Sequence, residues 1–180
     1  MAAITLAVAL VSGGAEAGGG PQPDEPDEYR MSAFRAPVPA TLLDADVLSA
    51  EDAAKRWEAG GALFIDVLPR PPRPKSLPEG TIWNDKPRDS IPGARWFPNV
   101  GFGRLSEERT AYFRDGLARL TEGDSAASLI IFCQEMCWMS WNAARRAILE
   151  FGYTNVAWYP DGSDGWSALG RELERIEPEE

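Results

Sequence analysis

The chain predicts an α/β fold: a mainly parallel central sheet flanked by helices on both faces. Two short runs, residues 62–68 and 128–132, are apolar on alternate and intervening positions alike, apart from Asp66 and the leading Ser128. A strand reads this way when it is covered on both sides. The second observation is order, because these runs alternate with stretches whose apolar residues recur at helical spacing, which is the βαβα pattern of a parallel sheet. In such sheets the working edge lies at the carboxyl ends of the strands. Asp66, Cys133 and Asp161 each finish or follow a predicted strand and should converge there.

Residues 1–17 read as a signal peptide. An apolar run over 2–11 is followed by Ala15-Glu-Ala17, a small-residue cleavage pattern, so the mature chain is expected to start near Gly18 in the periplasm or outside the cell. The run is too short to span a bilayer, and no membrane span is expected once it is removed. Residues 18–48 are rich in Gly, Pro and acids and read as a flexible leader, with order setting in near Tyr29.

The domain is expected over residues 49–178. Ser49 caps a helix that runs through Glu58 and stops at Gly60-Gly61. After the strand at 62–68, residues 69–90 form a proline-rich loop, long enough to suggest a working role. Ile91-Pro-Gly-Ala94 makes a turn into a short strand ending at Phe97. Ser106 caps a helix with Tyr112, Phe113, Leu117 and Leu120 on its apolar side. Next come the strand at 128–132, a helix over about 140–151 with Trp141, Ala144, Ile148 and Phe151 inward, and a strand at 155–159. The segment from Asp161 to Trp166 reads as a loop before a last amphipathic helix, and Arg145-Arg146 reads as an exposed helix face.

Composition narrows the chemistry. With 180 residues, 44% of them hydrophobic and seven tryptophans, the chain can bury a core without disulfide scaffolding. A formal charge of −10 argues against nucleic acid or an anionic membrane as partner. There is no histidine, which removes Ser-His and Cys-His catalysis and histidine metal sites. The acids at 161 and 164 miss the spacing of a calcium loop, and no metal or cofactor is expected.

The only two cysteines lie in Cys133-Gln-Glu-Met-Cys137-Trp138, between the strand and the helix that follows. A thiol at a helix N-terminus is favoured as thiolate. Taken alone, Cys133 reads equally as a small buried hydrophobe. The second cysteine four positions on shifts the reading to chemistry or a local disulfide. Trp138, Trp141, Trp158 and Trp166 read first as packing residues.

Several motifs together resemble a rhodanese domain: Ile65-Asp66-Val67, Ile91-Pro-Gly-Ala94, a thiol loop closing a strand at Cys133, Ala143-Ala144, and Gly152-Tyr-Thr-Asn-Val156. The runs Cys137-Trp-Met-Ser-Trp-Asn and Trp158-Tyr-Pro-Asp-Gly-Ser-Asp-Gly-Trp166 are similar to an exported branch, the CXXCW-motif family associated with pyrroloquinoline-quinone-dependent alcohol catabolism. The resemblance implies that Cys133 carries a persulfide, that N–H groups from Gln134, Glu135, Met136, Cys137 and Trp138 hold it, and that Asp66 has an arginine companion, taken as Arg70. Ser90 stands where the family has histidine, Met136 where it has glycine, and Cys-x-x-x-Cys is one residue longer than the branch motif.

Three functions stay open on these residues. Cys133 can take sulfur from a small donor and pass it to an acceptor. Alternatively Cys133 and Cys137 work as a dithiol/disulfide pair on a thiol protein, with Cys137 resolving. The third is a non-catalytic module, with a structural bridge, that binds or matures a partner in the alcohol-oxidation pathway.

Overall fold

The computed structural model describes residues 22–71, 73–82 and 86–180; the segment read as a signal peptide lies outside them. Eleven elements follow in chain order among the described residues: β1 (Asp46–Val47), α1 (Ala50–Ala59), β2 (Ala62–Asp66), β3 (Arg88–Ser90), β4 (Arg95–Trp96), α2 (Glu107–Leu120), β5 (Ser128–Phe132), α3 (Trp138–Leu149), β6 (Val156–Tyr159), α4 (Gly162–Ala168) and β7 (Glu174–Ile176). Five strands form one sheet in the order β1-β6-β5-β2-β4, parallel throughout. The α/β class with a parallel sheet covered on both faces is therefore what the chain adopts.

Alternation along each strand divides the core. Ile65, Leu129, Ile131, Val156 and Trp158 point to the face covered by α2 and α3, where Phe113, Leu117, Trp141 and Ala144 meet them. Phe64, Ile130, Phe132, Ala157 and Tyr159 point to the other face, against Ala53 and Ala54 of α1 and Trp166 of α4. A period of two on strands buried between two helical layers gives this split. The Oγ atoms of Ser49 and Ser106 accept the N–H groups of Asp52 and Arg109, capping α1 and α2. Among the described residues no helix is long and apolar enough to cross a membrane.

Three expectations are corrected. The stretch read as a flexible leader is packed from Glu25 onward: Val38 and Leu42 are buried in the α2/α3 core, and the Glu25 carboxylate accepts from Thr41 Oγ1 and Leu43 N–H. Isolated apolar residues spaced by prolines bury without forming a regular element, so a compositional reading misses them. The segment from Asp161 holds α4 instead of a loop, and in place of a last amphipathic helix the chain passes Gly170 and pairs as β7 antiparallel to β3. Tertiary pairing overrides helical propensity there. Arg145 and Arg146 are buried rather than exposed. Arg146 donates to the carbonyls of Val100, Phe102 and Gly103, and Arg145 lies over the Trp141 ring. Guanidinium forks of this kind satisfy loop carbonyls that have no strand partner.

Candidate active site at the thiol loop

Sheet register brings the predicted residues to one edge. Asp66, Phe132 and Tyr159 are level across β2, β5 and β6. Cys133 stands one residue beyond β5. Cys137 is the N-cap of α3, and the two cysteines form a disulfide with Cα atoms 6.6 Å apart, a separation that a disulfide spans. Both are almost fully buried.

Beneath Cys133 lies a polar network. Asp66 is wholly buried and accepts from Arg88 Nε at 2.6 Å, Ser90 Oγ at 2.5 Å and Leu68 N–H at 2.8 Å. Arg88 Nη2 reaches on to the Cys133 carbonyl and Ser163 Oγ, each at 3.1 Å. Ser163 adds its own N–H at 3.1 Å and Oγ at 3.2 Å to that carbonyl. Three donors thus hold the backbone of Cys133. Burial pushes the Asp66 carboxyl upward, while the Arg88 charge, Ser90, and the Leu68 N–H pull against it.

The arginine companion of Asp66 is accordingly Arg88, not Arg70. Arg70 lies at another part of the edge, where its N–H donates to Asn99 Oδ1. On β3 the side chains of Arg88 and Ser90 share the buried face and Asp89 is exposed, so the i, i+2 spacing of Arg88 and Ser90 was the signal available in the sequence. Arg88→Met will strand the Asp66 charge in the core and cost about 3–5 kcal/mol. Urea unfolding measures this, and a loss below about 1 kcal/mol would show the pair to be dispensable.

The loop is held from two sides. Phe34 O accepts the Trp138 N–H at 3.0 Å, Ala36 N–H donates to Met136 O at 3.1 Å, and Arg35 Nη1 donates to Glu135 O at 2.8 Å. On the opposite side the Glu135 N–H donates to Asp164 Oδ2 at 3.2 Å, and Gln134 bridges to Gly162. A cradle in which all five N–H groups point at sulfur is therefore not formed, since those of Glu135 and Trp138 are committed elsewhere. Met136 is exposed and takes φ +50° at the place where the family pattern has glycine. A left-handed conformation is one that glycine adopts without the Cβ penalty. Gly162 is different, because its φ is +52° and a Cβ there would lie 2.5 Å from the Cys133 oxygen.

Trp138 is buried. Its indole N–H donates to Pro37 O at 2.9 Å and the Arg30 guanidinium sits 5.0 Å above its ring, so it packs between a strap of residues 30–37 and helix α3. The acids Glu51, Glu135 and Asp164 are exposed, and Asp161 is half-buried. Burial raises the Asp161 carboxyl, and the charges of Glu135 and Glu51 raise it further. Among the described residues no group of His, Cys, Asp or Glu is arranged to hold a metal ion.

No family model and no curated protein matches this chain. Among solved structures it is similar to the crystal structure of thiosulfate sulfurtransferase from Pseudomonas aeruginosa, at 20% identity and a TM-score of 0.48. The alignment covers 74% of this chain and 21% of that one. The chain thus spans well under half the length of that enzyme.

Proposed function

We propose that the chain is an exported rhodanese-like protein that performs thiol–disulfide exchange at Cys133 and Cys137, in a compartment that serves pyrroloquinoline-quinone-dependent alcohol oxidation. The observation that carries this reading is the bridge between the only two cysteines at the carboxyl edge of a parallel sheet. In the exchange, a partner thiolate attacks one sulfur and the Cys133–Cys137 bond breaks, leaving a mixed disulfide and one free thiolate. A second partner thiolate then displaces the protein sulfur. The partner dithiol loses two electrons and two protons, and Cys133 and Cys137 gain them as thiols.

Sulfur transfer is the chemistry the resemblance implies for Cys133, and it applies to the reduced protein only. The commitment of the Glu135 N–H to Asp164 and of the Trp138 N–H to Phe34 leaves fewer donors for an anionic persulfide there. Burial of both sulfurs favours the remaining reading, a binding module with a structural bridge. Either way an attacking thiol reaches sulfur only when the structure around the buried bridge opens.

Intact-mass analysis of protein from its native compartment tests the proposal. The expected mass is that of a chain starting at Gly18, with two alkylatable thiols appearing only after a mild reductant. Two free thiols without reductant would overturn the redox reading, an added sulfur atom would install sulfur transfer, and an intact Met1 would remove export.

A further inference from the structure

Each cysteine of the bridge is held by a serine hydroxyl, and each serine by a buried N–H group that the sheet fixes. At Cys133, Arg88 Nη2 donates to Ser163 Oγ at 3.1 Å and Ser163 Oγ donates to the Cys133 carbonyl at 3.2 Å. At Cys137, Trp158 Nε1 donates to Ser140 Oγ at 3.0 Å and Ser140 Oγ donates to the Cys137 carbonyl at 2.9 Å. The direction of both relays is settled, because indole and guanidinium N–H groups only donate and a carbonyl only accepts. All four side chains are buried. Their origins are rigid: Trp158 lies in β6 level with Ile131 of β5, and Arg88 is paired with Asp66 at the end of β2. Cys133 falls one residue beyond β5 and Cys137 one residue before α3. The two relays therefore carry the hold of the sheet to positions that its own ladder does not reach.

We propose that Ser140 and Ser163 are the positioning residues of the Cys133–Cys137 couple: by holding the two cysteine carbonyls they keep the reduced thiols in bridging range and so favour the disulfide. This rests on the exchange reading given above and names the residues that set its equilibrium. When a dithiol reduces the bridge, the sulfur–sulfur bond breaks, Cys133 and Cys137 gain two electrons and two protons as thiols, and the dithiol closes into a cyclic disulfide. The reverse step must bring two thiols together, and it is favoured when both backbones are already held in place. Linkage makes the effect mutual: the bridge strengthens the serine bonds by the factor by which those bonds strengthen the bridge. A serine that served the fold alone would stabilise both redox states equally and leave the couple unchanged.

The test equilibrates the full chain with mixtures of reduced and oxidised dithiothreitol, alkylates the free thiols and reads the oxidised fraction by mass spectrometry. Urea unfolding of the oxidised and the reduced forms supplies the second measurement. Ser140→Ala should lower the constant for bridge formation about tenfold, which raises the potential by about 30 mV. Ser163→Ala should lower it by only about threefold, because Arg88 Nη2 and the Ser163 N–H still hold the Cys133 carbonyl. Each variant should also lose more stability in the oxidised form than in the reduced form, by the factor that its constant has lost. Thr121→Ala is the control. Its hydroxyl is likewise buried, at the C-cap of α2, where it donates to the Leu117 carbonyl and meets Tyr153 Oη, so both forms should weaken equally at an unchanged potential. An unchanged constant in both serine variants overturns the positioning role and leaves exchange standing. If dithiothreitol reduces the wild-type bridge only after unfolding, exchange and positioning fall together. Should Ser140→Ala fail to fold, Ser163→Ala decides alone, since its cysteine carbonyl keeps two donors.

Discussion

A chain that starts at Ser49 will fail to hold the native fold, although the sequence alone places the domain boundary there. The truncation removes three buried aliphatic side chains, Val38, Leu42 and Leu48. At about 1.5–3 kcal/mol each, their burial contributes roughly 6 kcal/mol, the same order as the whole margin of an ordinary domain. It also removes the carbonyls of Pro37 and Thr41, which accept the indole N–H groups of Trp138 and Trp141, and the Arg30 N–H and carbonyl, which bond the Oδ1 and Nδ2 of the Asn142 side chain. Both tryptophans would then face water. A chain starting at Gln22 should show a single cooperative urea transition, whereas one starting at Ser49 should show early, broad unfolding with exposed tryptophan fluorescence. Equal midpoints for the two would mean that residues 22–48 only decorate a self-sufficient domain.

The contrast between that segment and the sheet shows what the sequence can carry. Strands β2 and β5 and helices α1 and α2 were legible because their signals are local: continuous apolar runs, serine caps and helical spacing. Asp66 and Cys133 were legible as edge residues because strand ends in a parallel sheet fall together. Arg88 was not, since it stands 22 positions beyond Asp66 and no periodic signature links the two. The nearer Arg70 looked equally suitable. β7 was missed for a related reason: its residues carry helix-forming types, and only the exposed edge of β3 makes a strand of them. The directions of the loop N–H groups depend on Phe34, 104 positions from Trp138, and on Asp164, 29 positions from Glu135, and no spacing rule encodes them.

Replacing either cysteine by serine will abolish reversible exchange, and the two variants will differ in what they trap. The structure holds both cysteines more evenly than their places in the sequence imply. Cys133 is fixed through its carbonyl by Arg88 and Ser163, while Cys137 is fixed between Phe34–Ala36 on the strap and the first turn of α3 rather than riding free on the loop. Their difference is electrostatic. Cys137 is the N-cap of α3, where the helix dipole favours a thiolate, and the sulfur with the more stable thiolate is the better leaving group. Attack should therefore fall on Cys133 and expel Cys137; the partner's second thiolate then displaces Cys133, and in the reverse direction Cys137 is the thiol that resolves the mixed disulfide. Cys137→Ser should accumulate an adduct on Cys133 that the parent releases, and Cys133→Ser should accumulate none. Loss of the short bridge itself should cost only about 2 kcal/mol, so both proteins remain folded for mass spectrometry. An adduct found on Cys137 in the Cys133→Ser protein, with none in the reciprocal variant, would reverse the roles. If neither variant forms an adduct and the doubly substituted protein keeps its cellular role, the bridge is structural and the binding module replaces the enzyme.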